Sequence, residues 1–176
     1  MSRVILVGGG TAGHVEPALA VGRYLKNADS NIELEFIGTK SGVEVELLVD
    51  TGIKFHSILK VPFPRKLDIN SLIWPFRFKY AFFQSLNAIK GSDLVIGFGG
   101  YVSAPVYLAT KFLRIPLIIH EANAKPGWAN RLGRHFATVV AVTFEEVQQV
   151  WPGSIVTGIP LRESVTSLQS MNAQER

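Results

Sequence analysis

The chain has 176 residues, of which 47% are hydrophobic, so it is long enough to bury the core of one ordinary domain. It contains no cysteine, which excludes a disulfide framework and a thiolate metal site. Its net charge is +4, and its longest uncharged run, residues 94–110, is shorter than the roughly 20 apolar residues that a membrane-spanning helix needs. The chain opens without the features of a signal peptide, so we expect a cytoplasmic protein.

Short β-rich runs alternate with helical runs along the chain. We expect strands at 3–7, 32–37, 55–59, 94–98, 117–120, 139–142 and 154–157, and helices at 14–26, 43–49, 71–90, 103–112 and 127–135. The alternation predicts right-handed βαβ units and therefore an α/β fold, a Rossmann-like parallel sheet with helices on both faces. The continuously apolar runs at 94–96 and 117–119 are typical of strands that are buried on both faces.

A glycine-rich turn follows the first strand, where residues 7–17 read V-G-G-G-T-A-G-H-V-E-P. Glycines let backbone N–H groups approach an anion closely, and the helix N-terminus adds about half a positive charge. The turn therefore predicts a phosphate or pyrophosphate site. His14 would stand in the same positive end, which favours a neutral ring able to accept a proton.

Gly8, Gly10 and Gly13 also satisfy the dinucleotide motif G-x-G-x-x-G. A dinucleotide site needs an acid at the tip of the second strand, and here that strand ends in Gly38-Thr39-Lys40. This disfavours an NAD-dependent enzyme. A turn that only connects a strand to a helix remains open at this point, and the acids after the strand, Glu44, Glu46 and Asp50, are interpreted as a solvated helix face.

Two more motifs follow predicted strands. Residues 97–103 read G-F-G-G-Y-V-S, a second glycine turn in which Ser103 could cap the next helix and leave N–H groups free for an anion. Residues 120–123 read H-E-A-N and bring a carboxylate and an amide. Because ligands bind at the carboxyl ends of strands in open parallel sheets, we expect the three loops to form one site, suited to a diphosphate.

Four motifs in order, G-G-G-T-A-G-H at 8–14, G-G-Y-V-S at 99–103, H-E-A-N at 120–123 and G-I-P-L-R at 158–162, resemble those of the MurG family of glycosyltransferases. The resemblance covers residues 1–165. Members of that family transfer N-acetylglucosamine (GlcNAc) from UDP-GlcNAc to undecaprenyl-pyrophosphoryl-MurNAc-pentapeptide, the lipid-linked peptidoglycan precursor. Ala12, Ala122 and Ile159 depart from the common family pattern, and together they resemble its actinobacterial branch.

The resemblance implies the amino-terminal half of a two-domain GT-B enzyme that inverts the anomeric centre and needs no metal or other cofactor. Residues 1–163 would be the acceptor-binding domain, and 164–176 a linker toward a donor-binding domain. The implied catalytic candidates are His14 and Glu121, and either could be the base. The implied donor or phosphate contacts are Thr11, Ala12, Gly13, Asn123 and Arg162, and the implied acceptor contacts are Gly10, Gly99, Gly100, Tyr101 and Ser103.

Positive charge is concentrated in residues 60–90, which hold six basic residues and one acid. A helical wheel of this segment gives two apolar stripes, one of Ile73, Phe76, Tyr80 and Phe83 and one of Trp74, Phe78 and Phe82. We expect the first stripe to pack on the sheet. We expect the second, flanked by Arg77 and Lys79, or the loop at 61–67, to meet the anionic cytoplasmic face of the membrane peripherally. The alternative is that both stripes are buried.

The aromatic residues cluster with apolar neighbours instead of alternating with cations, so nucleic acid is not an expected partner. Three function classes stay open on the sequence. The favoured class is the acceptor half of the glycosyltransferase, followed by a non-catalytic membrane-docking subunit of a two-chain transferase and, last, an NAD-dependent enzyme.

Overall fold

Seven parallel strands form one sheet in the part of the chain that a computed structural model describes, residues 1–64 and 69–161. The strands are β1 Arg3–Val7, β2 Glu33–Gly38, β3 Lys54–Ser57, β4 Leu94–Gly97, β5 Leu117–Glu121, β6 Val139–Val142 and β7 Ile155–Val156. The helices are α1 Ala12–Ala28, α2 Glu44–Leu48, α3 Ile69–Ile89, α4 Ser103–Leu113, α5 Trp128–Gly133 and α6 Glu145–Val150. The strand order β3-β2-β1-β4-β5-β6-β7 confirms the predicted Rossmann-like fold.

Alternation along the strands produces a core on each face of the sheet. In β1, Ile5 and Val7 face a cluster that includes residues of α3, α4 and α5. Val4 and Leu6 face the opposite cluster, which includes residues of α1 and α2. Helices therefore cover both faces, as predicted, and the central strands β1 and β4 are apolar on both sides because neither side meets water.

The register of the strands brings their carboxyl ends to one edge of the sheet. Val7 at the end of β1 pairs with Ile37 on one side and with Gly97 on the other. Gly97 in turn pairs with Ile119. The loops that follow β1, β4 and β5 consequently meet at this edge, where ligands bind in folds of this type.

The predicted elements differ from the structure mainly in two helices. Helix α6 was not predicted, because it is short and buries only Val147 of its six residues. Helix α1 begins at Ala12, two residues earlier than predicted. In residues 1–64 and 69–161, none of the helices combines the length and apolarity needed to cross a bilayer. The predicted boundary at 163/164 and the linker lie outside the described residues.

Candidate functional site

The loop between β1 and α1 carries the histidine to the sheet edge. Thr11 is the extended residue before α1, and its hydroxyl does not cap the helix but lies 3.0 Å from Nδ1 of His14. The His14 ring is half-buried. Burial lowers its pKa below the usual 6.5, although the charge of Glu121 and a backbone hydrogen bond with Gly9 oppose the shift. The ring is therefore neutral at pH 7, as predicted.

The loop between β4 and α4 is a tight turn built on two left-handed glycines, Gly99 and Gly100, with φ of 88° and 89°. Ser103 is fully buried, and its hydroxyl donates to the Gly99 carbonyl at 2.6 Å. Its N–H donates to the Gly100 carbonyl at 3.2 Å. The helix cap is Val102, so the predicted roles of Ser103 as cap and as acceptor contact are corrected: it supports the turn from below.

The two glycine loops touch backbone to backbone. A Cβ placed on Gly100 would lie 2.2 Å from the carbonyl oxygen of Gly9, closer than any real contact. A Cβ on Gly99 would lie 3.4 Å from Cδ2 of His14. Glycine is thus required here for close approach as well as for its φ, and the approach places the histidine ring beside the second loop.

The loop after β5 is organised by the carboxylate of Glu121, which is 1% exposed. Oε1 accepts from the backbone N–H and the side-chain amide of Asn123, at 3.0 and 2.9 Å. Oε2 accepts from the Gly127 N–H and the Asn130 amide, both at 3.0 Å. The lone pairs of Glu121 are therefore engaged in holding the loop, while Asn123 itself is exposed.

Asn130 and Tyr107 link the second and third loops, and the sequence analysis missed both. Tyr107 donates its hydroxyl hydrogen to Oδ1 of Asn130 at 2.8 Å and accepts the N–H of Gly99 at 3.2 Å. Burial raises the pKa of Tyr107 above its usual range, so the hydroxyl stays protonated. The only sequence signal for Asn130 is an asparagine in a short, partly apolar helix, and this pattern does not distinguish a buried amide from an exposed one.

These loops enclose a cavity of about 240 Å³. Of the predicted site residues, the cavity wall includes Gly10, Thr11, His14, Gly99, Gly100, Tyr101 and Glu121, and it adds Gly9, Gly127, Trp128, Ala129 and Asn130. Ala12, Gly13 and Asn123 are exposed outside the wall, and Arg162 lies outside the described residues. A larger open groove of about 780 Å³ beside α1, α2 and β2 contains no residue of the four motifs.

Glu44 is not part of a solvated face as predicted, because it is fully buried beside the first glycine loop. Its Oε2 accepts the N–H of Gly10 at 3.3 Å. The Gly10 N–H is consequently directed toward the protein interior. The exposed Ala12 and Gly13 are the first two residues of α1, where amides lack an intrahelical acceptor.

The fourth motif is attached to the sheet through His120. Its Nε2 donates to the carbonyl of Gly158 at 2.9 Å, and Gly158 has a left-handed φ of 71°. Burial lowers the pKa of His120, opposed by that hydrogen bond and by the charge of Glu121, so the ring is neutral at pH 7. The segment that leads toward Arg162 therefore leaves from the same edge as the cavity.

The two stripes of α3 are placed the other way round from the prediction. Phe78 and Phe82 pack against the core cluster beneath α3. The indole N–H of Trp74 donates to the Pro62 carbonyl at 3.0 Å, and its ring lies 4.9 Å from that of Phe78. The expectation that Trp74, Phe78 and Phe82 lack protein partners and are free to meet the membrane is therefore not met. The wheel could not decide it, because both stripes are equally apolar.

The exposed stripe of α3 is the one that was expected to pack on the sheet. Phe76 is 75% exposed, Tyr80 59% and Phe83 51%. Arg77 and Lys79 are exposed between them, as predicted, and Arg77 reaches the Lys60 carbonyl at 3.3 Å. Solvent-facing aromatic residues interspersed with cations remain a feature of this helix.

Comparison with known proteins identifies the family of the chain and similar enzymes. The model of the glycosyltransferase family 28 N-terminal domain matches residues 4–142. UDP-N-acetylglucosamine–N-acetylmuramyl-(pentapeptide) pyrophosphoryl-undecaprenol N-acetylglucosamine transferases are similar: that of Frankia casuarinae is 43% identical over 98% of this chain and 46% of its own length. That of Corynebacterium glutamicum is 42% identical over 99% and 48%.

The crystal structure of Acinetobacter baumannii MurG is also similar, with a TM-score of 0.76 and 34% identity. The match covers 92% of this chain and 46% of that one. The chain therefore spans about half the length of the relatives that it matches.

Proposed function

The chain belongs to the glycosyltransferase family 28 N-terminal domain family, and on that premise we propose that it is the acceptor-binding half of a peptidoglycan glycosyltransferase. The whole enzyme transfers GlcNAc from UDP-GlcNAc to undecaprenyl-pyrophosphoryl-MurNAc-pentapeptide with inversion. The observation that carries the proposal is the neutral His14 ring in a cavity between two glycine loops.

His14 is the proposed base. An acceptor hydroxyl in the cavity attacks the anomeric carbon of GlcNAc, the bond from that carbon to the UDP oxygen breaks, and the hydroxyl proton passes to the ring. A ring with a lowered pKa is unprotonated and ready at pH 7. Glu121 is less suited to this role, since four N–H donors already engage its oxygens, but its charge stabilises the imidazolium that forms.

The acceptor pyrophosphate is proposed to lie at the start of α1. The N–H of Gly10 is taken by Glu44, whereas the exposed amides of Ala12 and Gly13 at the start of α1, with the hydroxyl of Thr11 beside them, can donate to an anion. The helix dipole adds to their attraction for an anion. Tyr101, Gly99 and Gly100 then border the muramyl sugar, while the exposed Asn123, together with Arg162, would face the donor.

The proposed location is the cytoplasmic face of the membrane, held peripherally. The docking surface is the exposed stripe of α3, Phe76, Tyr80 and Phe83, with Arg77 and Lys79 beside anionic headgroups. Each cation near such a surface contributes about 1 kcal/mol, which suits reversible attachment. A lipid-linked acceptor would then meet the cavity without leaving the bilayer.

The test measures binding of the chain to vesicles with and without the lipid-linked acceptor, for the unchanged protein and for His14→Ala. We expect the acceptor to strengthen binding and His14→Ala to remove most of that gain. Vesicle binding that does not depend on the acceptor would favour a membrane-docking subunit instead. Saturable binding of NADH would favour a dinucleotide enzyme, and soluble UDP-GlcNAc serves as the control for donor affinity.

A further inference from the structure

Glu44 is a buried carboxylate that the proposed chemistry does not use. It is 0% exposed, although it starts the short exposed helix α2. Its Oε1 accepts from the backbone N–H of Thr39 at 2.7 Å and from the Thr39 hydroxyl at 2.9 Å. Its Oε2 accepts from the N–H of Gly10, as described above. One side chain therefore joins the loop after β2 to the loop after β1.

Three glycines make room for this carboxylate. A Cβ on Gly9, Gly38 or Gly42 would lie 2.7, 2.6 or 2.0 Å from the nearest atom of Glu44. Positive φ does not explain these glycines, because the left-handed glycines of the described chain are others. The three glycines thus form a socket, that is, a space in the backbone that accommodates the buried carboxylate of Glu44.

The turn above the socket packs against the second glycine loop at Gly9 but has few anchors on its β2 side. Gly10 has a φ of 87° and open space where a Cβ would be, so close packing around the Cα does not restrain this residue. On the β2 side the turn is held by the Gly8 N–H, which donates to the Ile37 carbonyl at 3.4 Å, and by the Gly10 N–H on Glu44. A run of three glycines has high conformational entropy, so such anchors decide where the following residues lie.

We infer that Glu44 is a positioning residue of the acceptor site: its carboxylate fixes the glycine turn that carries Thr11 and His14 to the cavity. This rests on the proposed function. Being fully buried, Glu44 acts through Gly10 and touches no substrate. A carboxylate is suited to the task because both oxygens accept, whereas the amide of a glutamine would set a second donor against either Thr39 or Gly10.

The test compares Glu44→Gln with Glu46→Gln, which changes an exposed glutamate on the same helix. The first measurement is NMR of the free chain, following the Gly10 amide and the His14 ring. The second is affinity for vesicles that contain the lipid-linked acceptor. We expect the resonances of the Gly10 amide and the His14 ring to shift in Glu44→Gln alone. Affinity for the acceptor vesicles should fall about tenfold in this variant, because it loses one charge-assisted hydrogen bond.

The inference is overturned if Glu44→Gln lowers only the melting temperature and leaves the resonances and acceptor affinity equal to those of Glu46→Gln. If Glu44→Gln does not fold, Thr39→Val replaces it, since it removes one hydroxyl donor to the carboxylate; unchanged resonances and affinity then overturn the inference. If the unchanged chain binds no acceptor, the proposed function fails by itself, and the ligand-free resonances still decide the role of Glu44.

Discussion

At the scale of single residues, the two ionisable groups Glu121 and His14 in the cavity wall differ in their hydrogen bonds, and this difference suits them to different roles. Glu121 accepts four N–H donors and is 1% exposed, so its charge is fixed in place. His14 is half-buried and has one ring nitrogen against the Thr11 hydroxyl. A group that must take up a proton needs a free lone pair and a suitable pKa, and these conditions favour the histidine as the base.

Titration of His14 should show this directly. Because burial lowers its pKa in the folded state, we expect the ring to titrate below 6.5 by NMR. The stability that comes from keeping the ring neutral is then fully present above pH 6.5 and is lost as the pH falls through the folded-state pKa. A titration midpoint at or above 6.5 in the folded chain would contradict this environment.

Individual site residues were predictable only where a motif carried them. Five predicted residues belong to the glycine-turn motifs or to the end of a strand, and the wall of the cavity includes all five: His14, Gly99, Gly100, Tyr101 and Glu121. Glu44 was assigned to a solvated face because an acid in a short helix usually lies in water. Its burial depends on three glycines that surround it, and one of them, Gly9, belongs to a different loop of the chain, which no local pattern reveals. Asn130 and Tyr107 were missed for the same reason.

At the scale of secondary structure elements, α3 shows where periodicity reaches its limit. A helical wheel gives the angle between two apolar stripes but not which one meets the sheet. The structure resolves the choice through neighbours: Phe82 contacts Phe112 of α4 with ring centroids 6.1 Å apart, and Phe63 covers Trp74 at 5.7 Å. The strands were easier to predict, because their apolar runs are short and bounded by glycine turns.

Substitutions on α3 should separate the two stripes. We expect Phe78→Ala to lower the free energy of unfolding by about 2–3 kcal/mol, since it leaves a cavity over the core, while vesicle binding per folded molecule is retained. Phe76→Ala should change stability by less than about 0.5 kcal/mol because Phe76 is 75% exposed. It should weaken binding to vesicles of anionic phosphatidylglycerol.

Urea unfolding and vesicle sedimentation measure the two effects. Equal destabilisation by both α3 variants would show that the stripe assignment is wrong. Unchanged vesicle binding by Phe76→Ala, also after Tyr80→Ala and Phe83→Ala are added, would remove this helix from the proposed membrane surface. Vesicles of neutral lipid provide the control for the contribution of Arg77 and Lys79.

At the scale of the whole molecule, the candidate site lies at the carboxyl edge of the sheet, and the chain spans about half the length of the relatives that it matches. The segment that follows β7 is attached to the cavity edge by the hydrogen bond from His120 to the carbonyl of Gly158. The amino-terminal edge of the sheet carries an ionic cluster instead. There Arg3 contacts Glu35 at 2.6 Å and also donates to the carbonyls of Ala88 and Lys90 near the end of α3. The carboxyl edge of the sheet thus holds the candidate site, and the amino-terminal edge holds ion pairs that stabilise the fold.

The ionic cluster around Glu35 makes the free energy of unfolding depend on pH. Burial alone would raise the pKa of Glu35, but hydrogen bonds from Arg3, Lys54 and His56 outweigh it and lower the pKa from 4.5 to about 2. The carboxylate therefore stabilises the fold fully above pH 4.5, and about 2–3 kcal/mol is lost as the pH falls from 4.5 toward 2. Urea unfolding between pH 2 and 6 should show this loss in the unchanged chain and in Glu33→Gln, an exposed neighbour on β2. Glu35→Gln should be less stable at pH 6 and lack this part of the pH dependence, whereas parallel curves for both variants would mean that the cluster does not govern acid stability.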